Sequence, residues 1–377
     1  MSKTEFTEKG RLGKDCPAIS HLKYWQNKAI DEETYDILRD FKIFLYIVWQ
    51  YLGLPPPTPI QYKVADYLQG NVNYVNLNEM EIPVEDLTGD VNGAGFIIAA
   101  YRAFGKSWIT GAYCLWLLLR TPTLEITVAS ASEGKCVLFI GFVKDLMKLI
   151  PFCNHLYPDS SCTNNKTMVD TPLHEPSQSN SLAAIPIMAN GLTGRRSDVI
   201  IGDDLEVPNN STSLLKRNKL LERVTEFEAI LGDVPEDGKI KFKQKVLLGT
   251  PQTQETLYMR LVKDNGYQMR IWPSRFPNDE QMDRIGHLLC PSLKARMTSG
   301  EVKNSGYGLR FDMGQPTDSR FTDNDLNKKE LGYGYTGYQL QYQLDPSLSD
   351  LAKFPLKLSD LMIADLNPNM GYNLKEL

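Results

Sequence analysis

The most distinctive polar residues of the sequence lie in the segment AAYRAFGKSW, residues 100–109. It ends in Gly105-Lys106-Ser107, as a phosphate-binding loop does. In such a loop the lysine contacts the β- and γ-phosphates and the hydroxyl binds Mg²⁺. The loop consensus has glycine at the position of Ala100. Alanine is compatible there if its φ is negative, because glycine is required only where φ is positive or the backbone is crowded.

Arg102 lies inside this loop and adds a guanidinium suited to bidentate contact with a γ-phosphate. The pair Gly-Lys occurs four times in the chain, and only Gly105-Lys106 is followed by a serine or threonine. The tripeptide alone is weak evidence, since a strand–turn–helix corner with surface charges would look the same. Its context favours the loop, because an apolar strand precedes it and a helix, whose N-terminus can bind an anion, follows it.

A second candidate segment is SDVIIGDDLE, residues 197–206. Asp203 follows an apolar run of strand length, where a carboxylate can hold Mg²⁺ through water. Asp204 is placed to orient and polarise an attacking water, and Glu206 is the alternative for that role. An acidic helix N-terminus is the competing interpretation of the same residues.

Three further segments carry polar residues next to predicted strands or helices. Thr250 and Gln252 follow the apolar run KVLLG, where they could sense a γ-phosphate or simply form a turn. Gln61 precedes a helix, and its amide could pair with both edges of adenine or lie on the surface. Arg195 and Arg196 precede the second segment, and either could act as an arginine finger across a subunit boundary or form a surface salt bridge.

A basic stripe is predicted in GKIKFKQKV, where four lysines alternate along a strand and project from one face. Such a stripe could contact a DNA backbone, or it could protect an exposed sheet edge, which is the commoner use. The lysines are Lys239, Lys241, Lys243 and Lys245.

Apolar runs of two lengths must position these residues. Runs of strand length alternate with runs of helical length, which indicates a parallel sheet covered by helices on both faces. Strands are predicted at 95–101, 124–132, 197–204 and 245–250, and helices at 41–54, 58–70, 107–119, 135–150 and about 212–231. A polar segment, 158–181, interrupts the alternation. After residue 253 only short mixed elements are predicted.

The chain has 377 residues, 42% of them hydrophobic, and a net charge of −5. The composition is globular, and without an overall basic field any contact with nucleic acid needs a local patch. The segment 41–54 is too short to span a bilayer and is predicted to be a buried helix. Six cysteines without a CxxC pair and four unclustered histidines argue against a zinc site.

Taken together, these segments resemble the large terminase subunit of tailed bacteriophages, especially the podophage type called DNA maturase B. The arginine-bearing phosphate loop, the GTPQT segment and the last long stretch are the most specific. The residues that carry the resemblance run in order over roughly 41–362: AYRAFGKSWIT, VASAS, LTGRRSDVIIGDDLEVP, LLGTPQTQETLY, IWPSRFP, GQPTDSRF and GYQLQYQLDPSLSDLAKFPLKLSDL.

The resemblance implies an α/β fold of the RecA-like ASCE P-loop ATPase type, with a mostly parallel sheet between helices and a small C-terminal lid. It implies a motor that uses ATP and Mg²⁺ to translocate double-stranded viral DNA into a procapsid. The motor would work in the host bacterial cytoplasm, as a homo-oligomeric ring on the portal protein, with the small terminase subunit and without a membrane.

The resemblance also assigns roles to individual residues. Asp204 stands where many terminases have glutamate, so the choice between Asp204 and Glu206 as catalytic carboxylate stays open. The other roles are Gln61 for adenine; Arg102, Gly105 and Lys106 for phosphates; Ser107 and Asp203 for Mg²⁺; Arg196 for the Gly-x-Arg that precedes the strand of Asp203; and Thr250 for coupling. Which residue is the arginine finger stays open.

Large terminases normally carry a second, RNase H-like nuclease domain. The sequence ends at Leu377, where the linker to that domain is expected, and Asp365 alone cannot build a two-metal site. We therefore expect a motor part without DNA cleavage. Its expected divisions are a helical extension (1–54), the ATPase core (55–255), a lid or second subdomain (256–362) and a linker (363–377).

Two other functions are compatible with the sequence. A helicase-type ATPase would normally need a second RecA-like core or a strand-separating element, which the sequence does not indicate. A nucleotide-regulated assembly protein would bind ATP as a structural component and turn it over slowly.

Overall fold

The computed structural model describes residues 37, 40–69, 95–189, 194–231, 244–253 and 255–345. Seven strands in this part of the chain form one sheet in the order β3-β4-β2-β5-β6-β1-β7. All neighbours are parallel except β3 and β4. The strands are β1 (Phe96–Ala100), β2 (Ile126–Ser130), β3 (Met168–Val169), β4 (Leu182–Pro186), β5 (Val199–Asp203), β6 (Gln244–Gly249) and β7 (Gln268–Trp272).

The central strands β1, β2, β5 and β6 are buried along their whole length. Parallel strands covered on both faces are expected to be mostly apolar, and these four are, although β6 begins with Gln244 and Lys245. The predicted α/β fold with a mostly parallel sheet is therefore confirmed. Because β6 lies between β1 and β5, the carboxyl ends of these three strands are neighbours at one edge of the sheet.

Helices cover the sheet and extend into the part of the chain that follows β7, residues 273–345, which we call the C-terminal part. They are α1 (Phe41–Tyr51), α2 (Pro59–Leu68), α3 (Lys106–Arg120), α4 (Glu133–Leu149), α5 (Pro208–Ser211), α6 (Leu214–Thr225), α7 (Phe227–Leu231), α8 (Leu257–Asn265), α9 (Asp279–Ile285), α10 (Pro291–Thr298) and α11 (Asp323–Tyr338). A 3₁₀ helix (Pro151–Leu156) follows α4, and a π-helix (Gln339–Gln343) follows α11. The helix predicted over 212–231 is interrupted, and Ser213 caps α6 by accepting the Lys216 N–H.

Helix α1 is the early apolar segment, and it is buried against α3 as predicted. The Phe41 ring lies 5.1 Å from the Tyr113 ring and 5.4 Å from the Trp116 ring, centre to centre. The Trp116 indole donates a hydrogen bond to the Ile37 carbonyl at 2.9 Å. Among the described residues no helix is long and apolar enough to cross a membrane.

Strands β4 and β7 differ from the sequence-based expectation. Strand β4 is short, rich in alanine and closed by a proline, so it lacks the branched apolar run typical of a buried strand. Strand β7 is an edge strand that alternates half-buried and buried residues. It pairs with β1 although it follows residue 255, so the sheet extends beyond the boundary expected for the core.

The predicted basic stripe is wrong at Lys245. This residue lies in β6, an internal strand of the sheet, and only 7% of it is exposed. Its ammonium group pairs with Glu228 and lies 5.5 Å from the centre of the Tyr267 ring. It therefore neither protects an edge nor faces a DNA backbone. The other three lysines of the stripe lie outside the described residues.

The C-terminal part is organised around the fully buried Arg275. Its guanidinium forms an ion pair with Asp323 at 2.6 Å and donates to the Tyr338 hydroxyl at 3.1 Å and to the Asn327 side chain at 2.8 Å. These bonds join the segment after β7 to both ends of α11. The segment after β7 is thereby fixed against the sheet, next to the loop that follows β1.

Candidate nucleotide-binding site

The phosphate loop connects β1 to α3. Gly105 caps α3 with φ of 99°, a left-handed conformation that favours glycine. Ala100 belongs to β1 and is not among the residues with positive φ, as its substitution for glycine requires. Ala103 has φ of 70°, so the loop holds a non-glycine residue in a strained conformation. The N-terminal amides of α3 are thereby presented at the edge of the sheet.

Lys106 is folded into the loop and only 7% exposed. Its ammonium group donates to the Ala100 carbonyl and to the Thr250 hydroxyl, both at 3.0 Å. Burial lowers the pKa of Lys106, while the nearby Asp204 and Asp203 act in the opposite direction. The Lys106 side chain is thus held by two neutral acceptors and lies near two carboxylates.

Ser107 and Asp203 meet where the loop approaches the tip of β5. The Ser107 hydroxyl donates to Asp203 Oδ2 at 2.8 Å. Asp203 Oδ1 is buried and has no hydrogen-bond partner among the described residues. Burial, followed by the charge of Asp204, raises the pKa of Asp203 to about 6. A hydroxyl beside an unsatisfied carboxylate oxygen is a donor set that suits Mg²⁺, which prefers oxygen ligands.

Asp204 and Glu206, the two candidates for the catalytic carboxylate, have different surroundings. The Asp204 side chain is one-third exposed, and its Oδ2 lies 3.9 Å from the Lys135 ammonium group. Its φ of 47° turns the chain sharply directly after Asp203. Asp204 is therefore open to solvent at the carboxyl edge of the sheet and lies close enough to Lys106 to influence its pKa.

Glu206, in contrast, is buried and fully engaged. One carboxylate oxygen accepts the Gln252 N–H at 3.1 Å, and the other accepts the Leu257 N–H at 2.8 Å and the Thr256 hydroxyl. Burial raises the pKa of Glu206 to about 6, although these three hydrogen bonds act in the opposite direction. Glu206 thus supports the segment after β6 and caps the N-terminus of α8.

Thr250 lies directly after β6 and connects this segment to the phosphate loop. Besides accepting from Lys106, its hydroxyl donates to the Ala100 carbonyl at 3.1 Å. The Gln252 amide donates to the Thr250 carbonyl at 2.9 Å and accepts from the Gln341 amide at 3.3 Å. The segment 250–252 therefore contacts the phosphate loop on one side and the π-helix on the other.

Arg102 is exposed at the outer side of the loop. Its backbone N–H donates to the Gln341 carbonyl at 2.8 Å. Its guanidinium lies 5.9 Å from the centre of the Tyr333 ring. Its charge contributes to lowering the pKa of Lys106, so the two cations lie close together. Such a pair of cations suits a polyphosphate.

Gln61 lies beside the loop, with both ends of its amide engaged. Its Oε1 accepts the Thr58 N–H at 3.0 Å, and its Nε2 donates to the Phe104 carbonyl at 2.9 Å. A cleft of about 640 Å³ opens next to it, between the start of α2 and the segment 315–323, and Phe321 is one of its lining residues. Gln61 is thus a residue of the loop's support, next to a cleft large enough for a base.

Arg196 lies apart from these residues. Arg196 lies before the first residue of β5, whereas Asp203 is its last residue. The two residues therefore lie beyond opposite ends of this strand, about 20 Å apart along an extended chain. Arg196 is exposed, and the neighbouring Arg195 donates to the Met168 sulfur. Contact between Arg196 and this chain's own phosphate site is excluded, and contact with a neighbouring subunit stays a prediction.

Two residues that contact the loop were not predicted from the sequence. Arg320 donates to the Phe104 carbonyl at 3.1 Å, and Gln341 accepts the Arg102 N–H through its carbonyl. Both lie in stretches that carry the family resemblance, GQPTDSRF and GYQLQYQ. A contact between residues more than 200 positions apart has no local signal, so spacing alone could not have revealed either.

The order of the strands, with β6 between the strand of the phosphate loop and the strand of Asp203, is the arrangement of a RecA-like P-loop fold. No protein-family model matches the chain. Its sequence is 36% identical over 330 residues to the large terminase subunit of Enterobacteria phage T3, which covers 87% of this chain. The chain belongs to the large terminase family. It spans 50% of that relative's length.

Solved structures of large terminases are also similar to the chain. The ATPase domain of the Thermus phage P74-26 large terminase matches with a TM-score of 0.38 and 11% identity, over 78% of this chain and 96% of that domain. The large terminase of bacteriophage HK97 matches with a TM-score of 0.38 and 10% identity, over 72% of this chain and 52% of that chain. We base the family assignment on the sequence similarity.

Proposed function

We propose that this chain is the ATP-hydrolysing motor part of a large terminase and drives double-stranded DNA into a procapsid. The observation that carries the proposal is the contact of Ser107 with Asp203, which joins the phosphate loop to the tip of β5. It leaves one buried carboxylate oxygen without a hydrogen-bond partner in the described part of the chain. This pair would hold Mg²⁺, which neutralises phosphate charge when bound.

Lys106 and Arg102 would bind the phosphates. Within the described ranges the Lys106 ammonium group bonds only to a carbonyl and a hydroxyl. Hydrogen bonds to ionised acceptors are about twice as strong as bonds to neutral ones. Exchange of these neutral acceptors for phosphate oxygens is therefore favourable. Arg102 is exposed beside it and would add a second cation at the γ-phosphate.

Asp204 is the better candidate for the residue that orients the attacking water. Its side chain is accessible to solvent, so it can reach a water molecule, as a general base must. It also lies directly after Asp203. Glu206 would have to break three hydrogen bonds before its carboxylate could face water. We therefore assign Glu206 a positioning role, in which it holds the segment that carries Thr250.

Thr250 is placed to couple the phosphate site to the C-terminal part. Its hydroxyl shares Lys106 with the loop, so a shift of the lysine toward phosphate would change the bonds of Thr250. Gln252 links the Thr250 carbonyl to Gln341. A change at the γ-phosphate that moves Lys106 would thus reach Thr250, and from Thr250 the π-helix through two further hydrogen bonds.

The remaining assignments follow from the family. The base would lie in the cleft beside Gln61. The Gln61 amide would contact the adenine and also supports the loop through the Phe104 carbonyl. Arg196 would act across a subunit boundary in a homo-oligomeric ring, since it cannot reach its own site. Double-stranded viral DNA, the portal protein of the procapsid and the small terminase subunit would be the partners, in the host cytoplasm.

Turnover measured on the purified chain tests the proposal. We expect Mg²⁺-dependent release of phosphate from ATP, faster with linear double-stranded DNA and lost in Lys106→Ala. Tight binding of ATP with no turnover, with and without DNA, would instead indicate a nucleotide-regulated assembly protein. Separation of a labelled duplex into single strands would indicate a helicase.

A further inference from the structure

The Phe104 carbonyl is the point where two distant parts of the chain hold the phosphate loop. It accepts the Gln61 amide at 2.9 Å from the start of α2. It also accepts the Arg320 guanidinium at 3.1 Å from the C-terminal part. A carbonyl with two donors, one of them charged, has little freedom to rotate.

The orientation of this carbonyl fixes the next amide. A peptide unit is planar and trans, so the Phe104 C=O and the Gly105 N–H point in opposite directions. Because the two donors hold the carbonyl on the supporting side, the Gly105 N–H is directed away from them. Gly105 caps α3, so its amide belongs to the anion-binding N-terminus of that helix.

Arg320 is itself held in place. Its guanidinium donates to Asp318 Oδ2 at 2.6 Å and to the Tyr101 hydroxyl at 3.1 Å, and the Tyr101 hydroxyl donates to the same carboxylate oxygen at 2.6 Å. Asp318 is 1% exposed and Tyr101 is fully buried. Both ends of the loop segment 101–104 are thereby tied to one guanidinium.

We propose that Arg320 is a positioning residue of the phosphate loop, which orients the Gly105 amide for phosphate through the Phe104 carbonyl. The proposal rests on the proposed nucleotide site. Arg320 contacts loop atoms and its own segment, and it acts on the polyphosphate only through the loop. It differs in this from Arg275, whose bonds hold the C-terminal part together.

Binding of ATP and of inorganic tripolyphosphate, each with Mg²⁺, tests the proposal by calorimetry. Tripolyphosphate has no base or ribose, so it reports on the loop and not on the cleft beside Gln61. We expect Arg320→Ala to weaken both ligands by the same factor, about ten- to hundredfold. Arg320→Lys, which keeps the charge but not the forked donors, is expected to recover part of the loss.

Arg310→Ala is the matched control. Arg310 also lies in the C-terminal part, where its guanidinium stacks on the Tyr335 ring at 3.7 Å, and the variant is expected to bind both ligands like wild type. Tyr101→Phe removes only the hydroxyl that helps to hold Arg320, so it should cause a smaller loss in the same direction. This variant keeps the test decisive if Arg320→Ala does not fold.

The outcomes are distinguishable. An equal loss for both ligands supports the proposal. Wild-type affinity of Arg320→Ala for tripolyphosphate, or a loss seen with ATP alone, overturns it, since the arginine would then act on the base or on nothing. If the wild-type chain binds neither ligand, the proposed nucleotide site itself is wrong.

Discussion

On the sheet side of the phosphate loop, the contacts are made by side chains that a bound nucleotide would also use. Lys106 bonds to Thr250, and Ser107 bonds to Asp203. On the C-terminal side, two contacts are made by the loop's backbone. The Phe104 carbonyl accepts from Arg320, and the Arg102 N–H donates to the Gln341 carbonyl.

This difference separates the two tasks of the loop. The sheet side holds groups that must exchange partners when phosphate arrives. It contains a buried lysine and a carboxylate oxygen that no described residue contacts by a hydrogen bond. The C-terminal side holds backbone atoms whose partners need not change. Loss of a side-chain contact on the sheet side should therefore lower turnover more than affinity, and loss of a C-terminal contact to the loop's backbone should lower affinity more than turnover.

The largest effect is expected for Lys106→Ala. It removes the cation closest to the phosphates, and loss of one donor to developing charge typically lowers kcat by about 10²–10³-fold. Steady-state release of phosphate measures the effect, with the thermal midpoint as the check on folding. Turnover within tenfold of wild type would show that the sheet side does not carry the chemistry.

The two carboxylates after β5 should respond differently. Asp204→Asn is expected to lower kcat by about 10²-fold with little change in thermal stability, because the side chain is one-third exposed. Glu206→Gln should destabilise the fold by about 1–3 kcal/mol, because an amide nitrogen cannot accept from the N–H donors around it. Thermal unfolding and turnover of both variants decide the matter. Full activity of Asp204→Asn beside an inactive, stable Glu206→Gln would reverse the assignment.

Thr250→Val tests the contact between the loop and the segment after β6. It keeps the branched shape but removes the hydroxyl that bonds to Lys106 and to the Ala100 carbonyl, so kcat should fall about tenfold. The matched variant Thr250→Ser retains the hydroxyl and is expected to stay within about threefold of wild type. If the serine variant loses as much as the valine variant, the hydroxyl is not the group that matters.

The smallest effect is expected for Gln341→Ala. The substitution removes the side-chain bond to Gln252 but leaves the backbone carbonyl that holds Arg102. ATP affinity should stay within about twofold, and kcat should fall a few-fold. The double variant with Gln252→Ala should be no worse than the more impaired single variant, because both substitutions remove the same hydrogen bond between the two side chains. Additive losses would show that the two glutamines act separately.

Much of the sheet and its edge could be predicted from the sequence, since β1, β2, β5 and β6 are mostly apolar runs followed directly by polar residues. This pattern located Lys106, Ser107 and Asp203, which the structure brings together. Strand β4 has few branched residues and β7 alternates, so neither has the signal of a buried strand.

The support of the loop could not be predicted in this way. Arg320 and Phe104 are 216 positions apart, and only the packing of the C-terminal part on the sheet brings them together. The spacing around Asp203 also could not separate Asp204 from Glu206. The two carboxylates differ in burial, since the segment after β6 covers Glu206 and leaves Asp204 open to solvent. The position of that segment has no local signal in the sequence.

Binding of ATP to wild type and to Asp203→Asn, with Mg²⁺ and with EDTA, tests whether the loop and the tip of β5 form one site for a magnesium nucleotide. We predict that Mg²⁺ strengthens ATP binding by wild type at least about tenfold, and that Asp203→Asn loses this gain while still binding ATP in EDTA. An equal gain from Mg²⁺ in both proteins, or no ATP binding by folded wild type, would contradict the account.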